Sequence, residues 1–209
     1  MPLKPETLSE IAAFVRGGFE ERDRIVEIFC EEMYAPGELD LADVEVAVEQ
    51  AFASLEAEKV NWPRVTDCDK LDTVFAALTK RGIIALQNAG YTQSDGYYDV
   101  QEQYHAHPRQ EAVIGYCFYH GQDLECAVHG NGLYLAFGPI DAKKEETEGP
   151  KIGLLIVEQL RNQGFDVQWN GTFNERIHIK NLDWKRRVEP TPLGPTAKGA
   201  SKPWWKFWQ

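Results

Sequence analysis

The stretch that decides the predicted fold runs from Ala112 to Ile140 and reads AVIGYCFYHGQDLECAVHGNGLYLAFGPI. It contains three runs of alternating apolar residues, which are typical of strands with one buried face. The pairs Gly121-Gln122 and Asn131-Gly132 separate these runs and are favoured in two-residue hairpin turns. The pattern therefore predicts a three-stranded antiparallel meander.

The predicted turns determine which residues face each other across the meander. Cys117 is expected opposite Cys126 in the first strand pair, and Cys126 opposite Phe137 in the second. These residues belong to an apolar face that packs on helices. The opposite face is mixed, with aromatic, acidic and histidine side chains that form a candidate recognition surface: Tyr116, Phe118, His120, Asp123, Glu125, His129 and Tyr134.

Residues 1–62 are predicted to form an acidic helical region that packs on the main domain. Apolar residues recur there at three-to-four spacing, and Asp40 is a good N-cap for a long helix. Thr66 and Asp69 then resemble a capping box that begins a third helix, and a strand follows at Ile83 to Ala89.

Residues 63–187 are predicted to form an α+β domain. A helix that ends at Gly164 follows the meander, and the pair Asn170-Gly171 predicts a second hairpin. The expected architecture is an antiparallel sheet, consisting of the three-stranded meander plus the second hairpin, packed on helices.

Residues 188–209 are predicted to be a flexible Pro/Gly linker followed by a basic, tryptophan-rich tail. Trp204, Trp205 and Trp208 are candidate binding residues. The tail fits a docking motif for a partner groove or a membrane surface, and it equally fits an arm that folds back onto the acidic helices of the same chain.

The charge of the chain is unevenly distributed. The formal net charge is −11, yet residues 184–209 hold six Lys or Arg against the single Glu189, a local +5 that leaves −16 elsewhere. An acidic body repels nucleic-acid phosphates and attracts basic partners, although it also simply keeps a protein soluble. We therefore expect a basic protein partner and no nucleic acid.

Localisation follows from what the sequence lacks. No apolar run approaches the roughly 18 residues that a membrane helix requires, and the N-terminus has acids where a signal peptide would be apolar. The sequence predicts a cytoplasmic protein without a membrane span. Its four cysteines are then expected to be reduced.

The spacing C-x2-H-x5-C-x2-H, from Cys117 to His129, invites a zinc interpretation. In the predicted hairpin the cysteines and histidines project to opposite faces, so four ligands do not converge on one ion. No metal and no cofactor are expected. The common phosphate-binding, dinucleotide-binding and hydrolase motifs are absent from the sequence.

His120 and Asp123 are the best catalytic candidates because a two-residue turn would place them directly opposite each other. They could transfer a proton, with His129 and Tyr134 on the same face, or they could merely stabilise the turn. Asp95 and Asp99 follow a turn and could add carboxylates, although helix capping also explains Asp95.

Several blocks of the sequence resemble a bacterial family of unknown function whose members share them in this order. The blocks are WPRVTDCDKLD, GIIALQNAGYTQSDG, HGQDLE, NGLYLAFG, FDVQWNG and LDWKRR, and together they span roughly Trp62 to Arg187. The resemblance implies a bacterial origin and the extent of a domain. It carries over no activity.

Three functional hypotheses follow. The first is a small protein-binding module, most concretely an immunity protein that neutralises a toxin through an acidic and aromatic surface. The second is a hydrolase-like enzyme that uses the His120 cluster and requires those side chains to line one concave pocket. The third is an adaptor that docks through its tryptophan-rich tail.

Overall fold

The computed structural model describes residues 2–187. Within this range the chain divides into two compact units. The first comprises the residues up to Pro63 together with Arg186 and Arg187, and the second is Arg64–Lys185. Each unit buries an apolar core of its own. The predicted linker and tail, residues 188–209, lie outside the described residues.

The first unit is helical. Its elements are α1 (Pro5–Gly17), α2 (Arg22–Glu27), a π-helix (Ile28–Met33) and α3 (Leu41–Lys59). Their apolar stripes meet in one cluster, because residues three or four apart lie on the same face of a helix. Asp40 caps α3 as predicted, since its carboxylate accepts hydrogen bonds from the backbone N–H groups of Ala42 and Asp43 at 3.0 and 3.1 Å.

The second unit combines helices with a five-stranded sheet, which confirms the predicted α+β class. Its elements in chain order are α4 (Asp67–Lys80), β1 (Ile83–Leu86), α5 (Gln93–Ala106), β2 (Gly115–Phe118), α6 (Gly121–Val128), β3 (Leu133–Gly138), α7 (Glu145–Asn162), β4 (Asp166–Gln168) and β5 (Ile177–Lys180). The predicted capping box of α4 is present, with Thr66 and Asp69 bonded reciprocally at 2.7 and 3.2 Å.

The sheet has the strand order β1-β2-β3-β5-β4 and is mostly antiparallel. The exception is the pair β1 and β2, which run parallel with Ile83 opposite Gly115. Parallel neighbours need a crossover connection, and α5 provides it. Within residues 2–187, both β1 and β4 are edge strands with one neighbour each.

Helices lie on both faces of the sheet. On one face, Val100 of α5 belongs to the same buried cluster as Ile84, Tyr116 and Phe118. On the other face, β2 approaches α7 closely, because a Cβ added at Gly115 would lie 2.5 Å from Cδ1 of Ile152. Tyr116 and Phe118 are therefore buried, and the prediction that they form an outer surface is wrong.

The predicted middle strand of the meander is wrong, because the residues after Gly121 form α6. Leu124, Ala127 and Val128 have a helical spacing that the alternation of Leu124, Cys126 and Val128 conceals. Gly121 begins the helix instead of turning a hairpin. The helix leaves β2 and β3 as direct antiparallel neighbours.

The predicted cysteine register fails with that strand. Cys117 lies opposite Phe137 on β3 and is buried, whereas Cys126 is exposed on α6. The pair Asn131-Gly132 leads from the helix into β3 and does not form a hairpin turn. The second hairpin is confirmed, since β4 and β5 pair antiparallel with Val167 opposite Ile179.

Two loops at the carboxyl ends of β1 and β2 are bonded to each other. The N–H of Ala89 donates to the carbonyl of Tyr119 at 2.9 Å, and that of Gly121 donates to Gly90 at 2.9 Å. These bonds connect the loop before α5 to the start of α6. None of the helices between residues 2 and 187 combines the length and apolar content that crossing a membrane demands.

Candidate functional site

His120 and Asp123 meet at the start of α6, although not across a turn. His120 precedes the helix and Asp123 is its third residue, so the Asp123 carboxylate accepts the His120 backbone N–H at 3.3 Å. The same carboxylate lies 3.0 Å from Nε2 of the His120 ring. The predicted contact between the two residues therefore exists for a different reason: it begins a helix.

Arg176, which the sequence analysis did not single out, completes this cluster from the loop before β5. Its Nη1 donates to both carboxylate oxygens of Asp123 at 2.9 and 3.1 Å. Its guanidinium group lies 5.0 Å from the ring centre of Tyr134. Tyr134 in turn stacks on His178 with the rings 4.1 Å apart and 4° from parallel. Arg176 thus connects the start of α6 to strands β3 and β5.

The electrostatics of the cluster favour a neutral His120 ring. Burial lowers its pKa below 6.5, and although Asp123 opposes this shift, Arg176 reinforces it. The ring atom Nδ1 of His120 is buried and makes no hydrogen bond that meets the usual distance and angle limits. The nearby backbone of Tyr91 favours the protonated ring and so opposes the lowering of the pKa. Because His120 and Asp123 are only 4% and 3% exposed, neither reaches a dissolved substrate in this conformation.

The other candidates on the predicted mixed face are scattered. His129 is exposed at the C-terminal end of α6, about 12 Å along the helix from its start. Glu125 is half-buried and accepts a hydrogen bond from the Tyr91 hydroxyl at 3.1 Å. The structure brings His120, Asp123 and Tyr134 together through Arg176 and leaves His129 apart. The arrangement fits a structural cluster better than a catalytic pocket.

Asp95 caps α5, as the alternative interpretation of that residue expected. Its carboxylate accepts hydrogen bonds from the Thr92 backbone N–H at 2.8 Å and from the Thr92 hydroxyl at 2.9 Å. Both hydrogen bonds stabilise the first turn of the helix. Asp95 is therefore occupied with the helix start.

Asp99, one turn further along α5, lines an open groove of about 420 Å³. The groove is formed by one continuous segment of β1 and its following loop on one side and by α5 on the other. Its lining residues are Ala85, Leu86, Gln87, Asn88, Ala89, Asp99, Glu102 and Gln103. Its volume falls within the ~300 to 1,000 Å³ that is usual for ligand sites.

The groove is acidic. Among the described residues that line it, Asp99 and Glu102 supply the two ionisable side chains, and none is Lys or Arg. Burial raises the pKa of Asp99, and the nearby charges of Glu102 and Asp95 raise it further, while the backbone of Gly90 lowers it. The charged form of Asp99 is therefore less favourable than it would be in water, and a nearby cation would stabilise it.

The polar floor of the groove is held in place by neighbouring side chains. Gln87 donates to Asp72 at 2.7 Å and accepts from the Tyr119 hydroxyl at 3.0 Å. These bonds connect the groove to α4 and to the end of β2. Asp99, Glu102 and Gln103 are spaced i, i+3 and i+4, a signal in the sequence that marks one helix face.

No metal site or tail contact can be assigned from the described part of the chain. Between residues 2 and 187, no cluster of three or more His, Cys, Asp or Glu side chains could hold a metal ion. The strand-based argument against a zinc site is itself replaced, because Cys126 and His129 lie on a helix or its end. Trp204, Trp205 and Trp208 lie outside the described residues.

Comparison with known proteins gives a family without an activity. No curated protein and no solved structure matches the chain. One family model matches residues 3–188, a range that includes the N-terminal helical region that the sequence resemblance left out. The chain therefore belongs to the family described as a domain of unknown function, DUF6891.

Proposed function

We propose that this protein is a protein-binding module that recognises a basic partner through the groove between β1 and α5. The observation that carries the proposal is the pairing of an edge strand with two carboxylates across one open groove. Edge strands offer backbone hydrogen bonds to a partner, and the carboxylates select for positive charge.

Charge supports a basic partner at two scales. Asp99 and Glu102 place negative charge in the groove itself. The whole chain carries −11, which speeds the approach of basic proteins at low salt. The most concrete form of the proposal is an immunity protein that covers a basic active site of a toxin.

The hydrolase alternative has less support. That hypothesis requires His120, Asp123, His129 and Tyr134 to line one concave pocket. His120 and Asp123 are buried, and His129 lies at the other end of α6. The lowered pKa of His120 follows from burial in the core and does not require a catalytic role.

Affinity purification with groove variants tests the proposal. The full chain, a variant carrying Asp99→Asn with Glu102→Gln, and a control carrying Glu111→Gln with Glu146→Gln are immobilised and exposed to lysate of the native host. Both variants lose two negative charges, but Glu111 and Glu146 are exposed outside the groove. Captures are made at low and moderate salt because screening weakens charge attraction.

We expect a basic protein that the wild type and the control retain and that the groove variant loses. Direct titration of the purified partner then has to reproduce the same order of affinities. Equal recovery on all three chains, or no partner at either salt concentration, would contradict the proposal.

A further inference from the structure

We infer that the partner enters the groove as an extended segment that adds a sixth strand alongside β1, with an arginine between Asp99 and Glu102. This inference rests on the proposed function, because it specifies how the basic partner is bound. Strand addition to an exposed sheet edge is a common mode of peptide recognition.

The lining of the groove places it along the backbone edge of β1. Ala85 and Leu86, the last two residues of β1, both belong to the lining, and the lining continues into the loop from Gln87. Successive side chains of a strand point to opposite faces of the sheet. The two successive strand residues Ala85 and Leu86 can therefore both line the groove where it follows the edge between the faces, at the C-terminal end of β1. Among the strands of residues 2–187, none pairs with that edge, because β1 stands at one end of the strand order.

The length of the edge limits the added strand to a few residues. β1 comprises Ile83–Leu86, and four residues extend for about 13 Å. Asn88 has a φ of +52°, a left-handed conformation in which the extended backbone cannot continue. We therefore expect a short segment of roughly four paired residues.

The other edge of the sheet is less suited to pairing. β4 comprises only Asp166–Gln168, and both of its end residues are exposed. Short edge strands with charged side chains discourage the addition of another strand. β1, in contrast, has α5 beside it as a wall that supplies specificity.

The spacing of the two carboxylates favours a single arginine. Asp99 and Glu102 are three residues apart, which corresponds to about 4.5 Å along the axis of α5. Side chains on one face of an extended peptide are about 6.8 Å apart, so two basic residues do not match the carboxylates one to one. One guanidinium group, with its fork of N–H donors, can bind both.

Synthetic peptides added to the full chain test the inference. The parent probe is a fluorescent eight-residue peptide of alternating valine and threonine with one central arginine. A second peptide replaces the arginine with glutamine. Two further peptides carry backbone N-methyl groups on alternate residues, one set for each edge of the peptide. Dissociation constants come from fluorescence anisotropy.

Strand addition predicts that only one of the two N-methylated peptides loses binding, by about tenfold or more, because only one edge of the peptide faces β1. The glutamine peptide is also expected to lose about tenfold, and the parent peptide should slow hydrogen exchange of backbone amides in β1. The groove variant should weaken the parent peptide, whereas the Glu111→Gln, Glu146→Gln control should not.

Two negative results separate the inference from the function on which it rests. If arginine matters but neither N-methylated peptide binds more weakly, the groove takes a basic group without adding a strand, and only the inference fails. If the parent peptide does not bind even at millimolar concentration while the purified partner still depends on Asp99 and Glu102, strand addition is again wrong. If neither peptide nor partner depends on these carboxylates, the proposed function fails as well.

Discussion

At the residue scale, the single carboxylate group of Asp123 makes three contacts. It accepts the His120 backbone N–H, lies 3.0 Å from the His120 ring and binds Nη1 of Arg176. Its side chain is only 4% exposed, so its charge depends on these partners. The His120–Asp123 pair therefore has a structural role. Its residue types alone would equally allow a catalytic role.

Replacing Asp123 with alanine is expected to destabilise the protein by about 3 to 5 kcal/mol, because it leaves the cluster without its buried charge and α6 without its cap. Urea unfolding measures the loss. Glu175→Ala, at the exposed neighbour of Arg176, should change stability by less than about 0.5 kcal/mol. A loss below about 1 kcal/mol for Asp123→Ala would show that the cluster does not hold the fold.

Asp99→Asn is expected to separate binding from stability. The raised pKa of Asp99 means that its charged form is disfavoured in the fold, so the wild type loses stability as pH rises from 3.8 through the raised pKa. The asparagine variant lacks this loss. At neutral pH its urea midpoint should equal or exceed that of the wild type, and the difference should shrink near pH ~4.

The same variant should bind the arginine peptide more weakly than the wild type. Gain or retention of stability together with loss of affinity identifies a residue kept for binding. If Asp99→Asn instead unfolds more readily and binds equally well, Asp99 serves the fold and not the groove.

Sequence could predict contacts at this scale only where they are local. The Thr66–Asp69 and Thr92–Asp95 caps join residues three apart, and the first was predicted from that spacing. Arg176 is 53 residues from Asp123, and an isolated arginine before a strand gives no indication of its partner. Only the fold brings these two side chains together.

At the element scale, α6 shows how two periodicities can compete in one short stretch. Residues 121–128 alternate like a strand and are also spaced like a helix, and they begin with the pair Gly121-Gln122, which suits a turn. Tertiary structure decides between the two, because β3 already fills the position beside β2. The pairing of β4 with β5 was predicted correctly, although residues 169–176 form a longer loop than the pair Asn170-Gly171 predicted.

Gly132 and Gly130 give a matched test of the passage from α6 into β3. Both have positive φ, +77° and +78°, so alanine strains the backbone similarly at each position, by about 1 kcal/mol. A Cβ at Gly132 would also lie 2.4 Å from Nε2 of His178 and 2.5 Å from the Ile179 carbonyl, whereas at Gly130 it would meet nothing within 4 Å.

Gly132→Ala should therefore destabilise the protein by about 1 to 3 kcal/mol more than Gly130→Ala in urea unfolding. The excess measures the close contact with β5 alone, because the backbone contribution cancels between the variants. Equal losses for the two variants would mean that both His178 and the Ile179 carbonyl move aside at no cost.

At the scale of the whole molecule, the sequence predicted the fold class but not the location of the groove. The α+β class followed from alternating and helical periodicities, and the family resemblance followed from blocks of sequence that a family model also covers. The groove depends on the parallel pairing of β1 and β2, which places β1 at the edge. Strand order leaves no local mark in the sequence.

The tail provides a prediction at this scale. Deleting residues 201–209 removes Lys202 and Lys206 together with three of the six tryptophans. If the groove binds the partner by itself, the shortened chain should bind the arginine peptide within about twofold of the wild type. Its localisation in the host should also be unchanged. A changed localisation would favour the adaptor hypothesis for the tail.

The bonds between the loops after β1 and β2 have a thermodynamic consequence for the groove. The backbones of Ala89 and Gly90 are hydrogen-bonded to those of Tyr119 and Gly121. The Gln87 side chain is hydrogen-bonded to Asp72 and Tyr119. One wall of the groove is thus ordered before any partner arrives. The conformational entropy lost on binding then comes mainly from the partner's segment, so a partner that is already extended and rigid gains the most affinity.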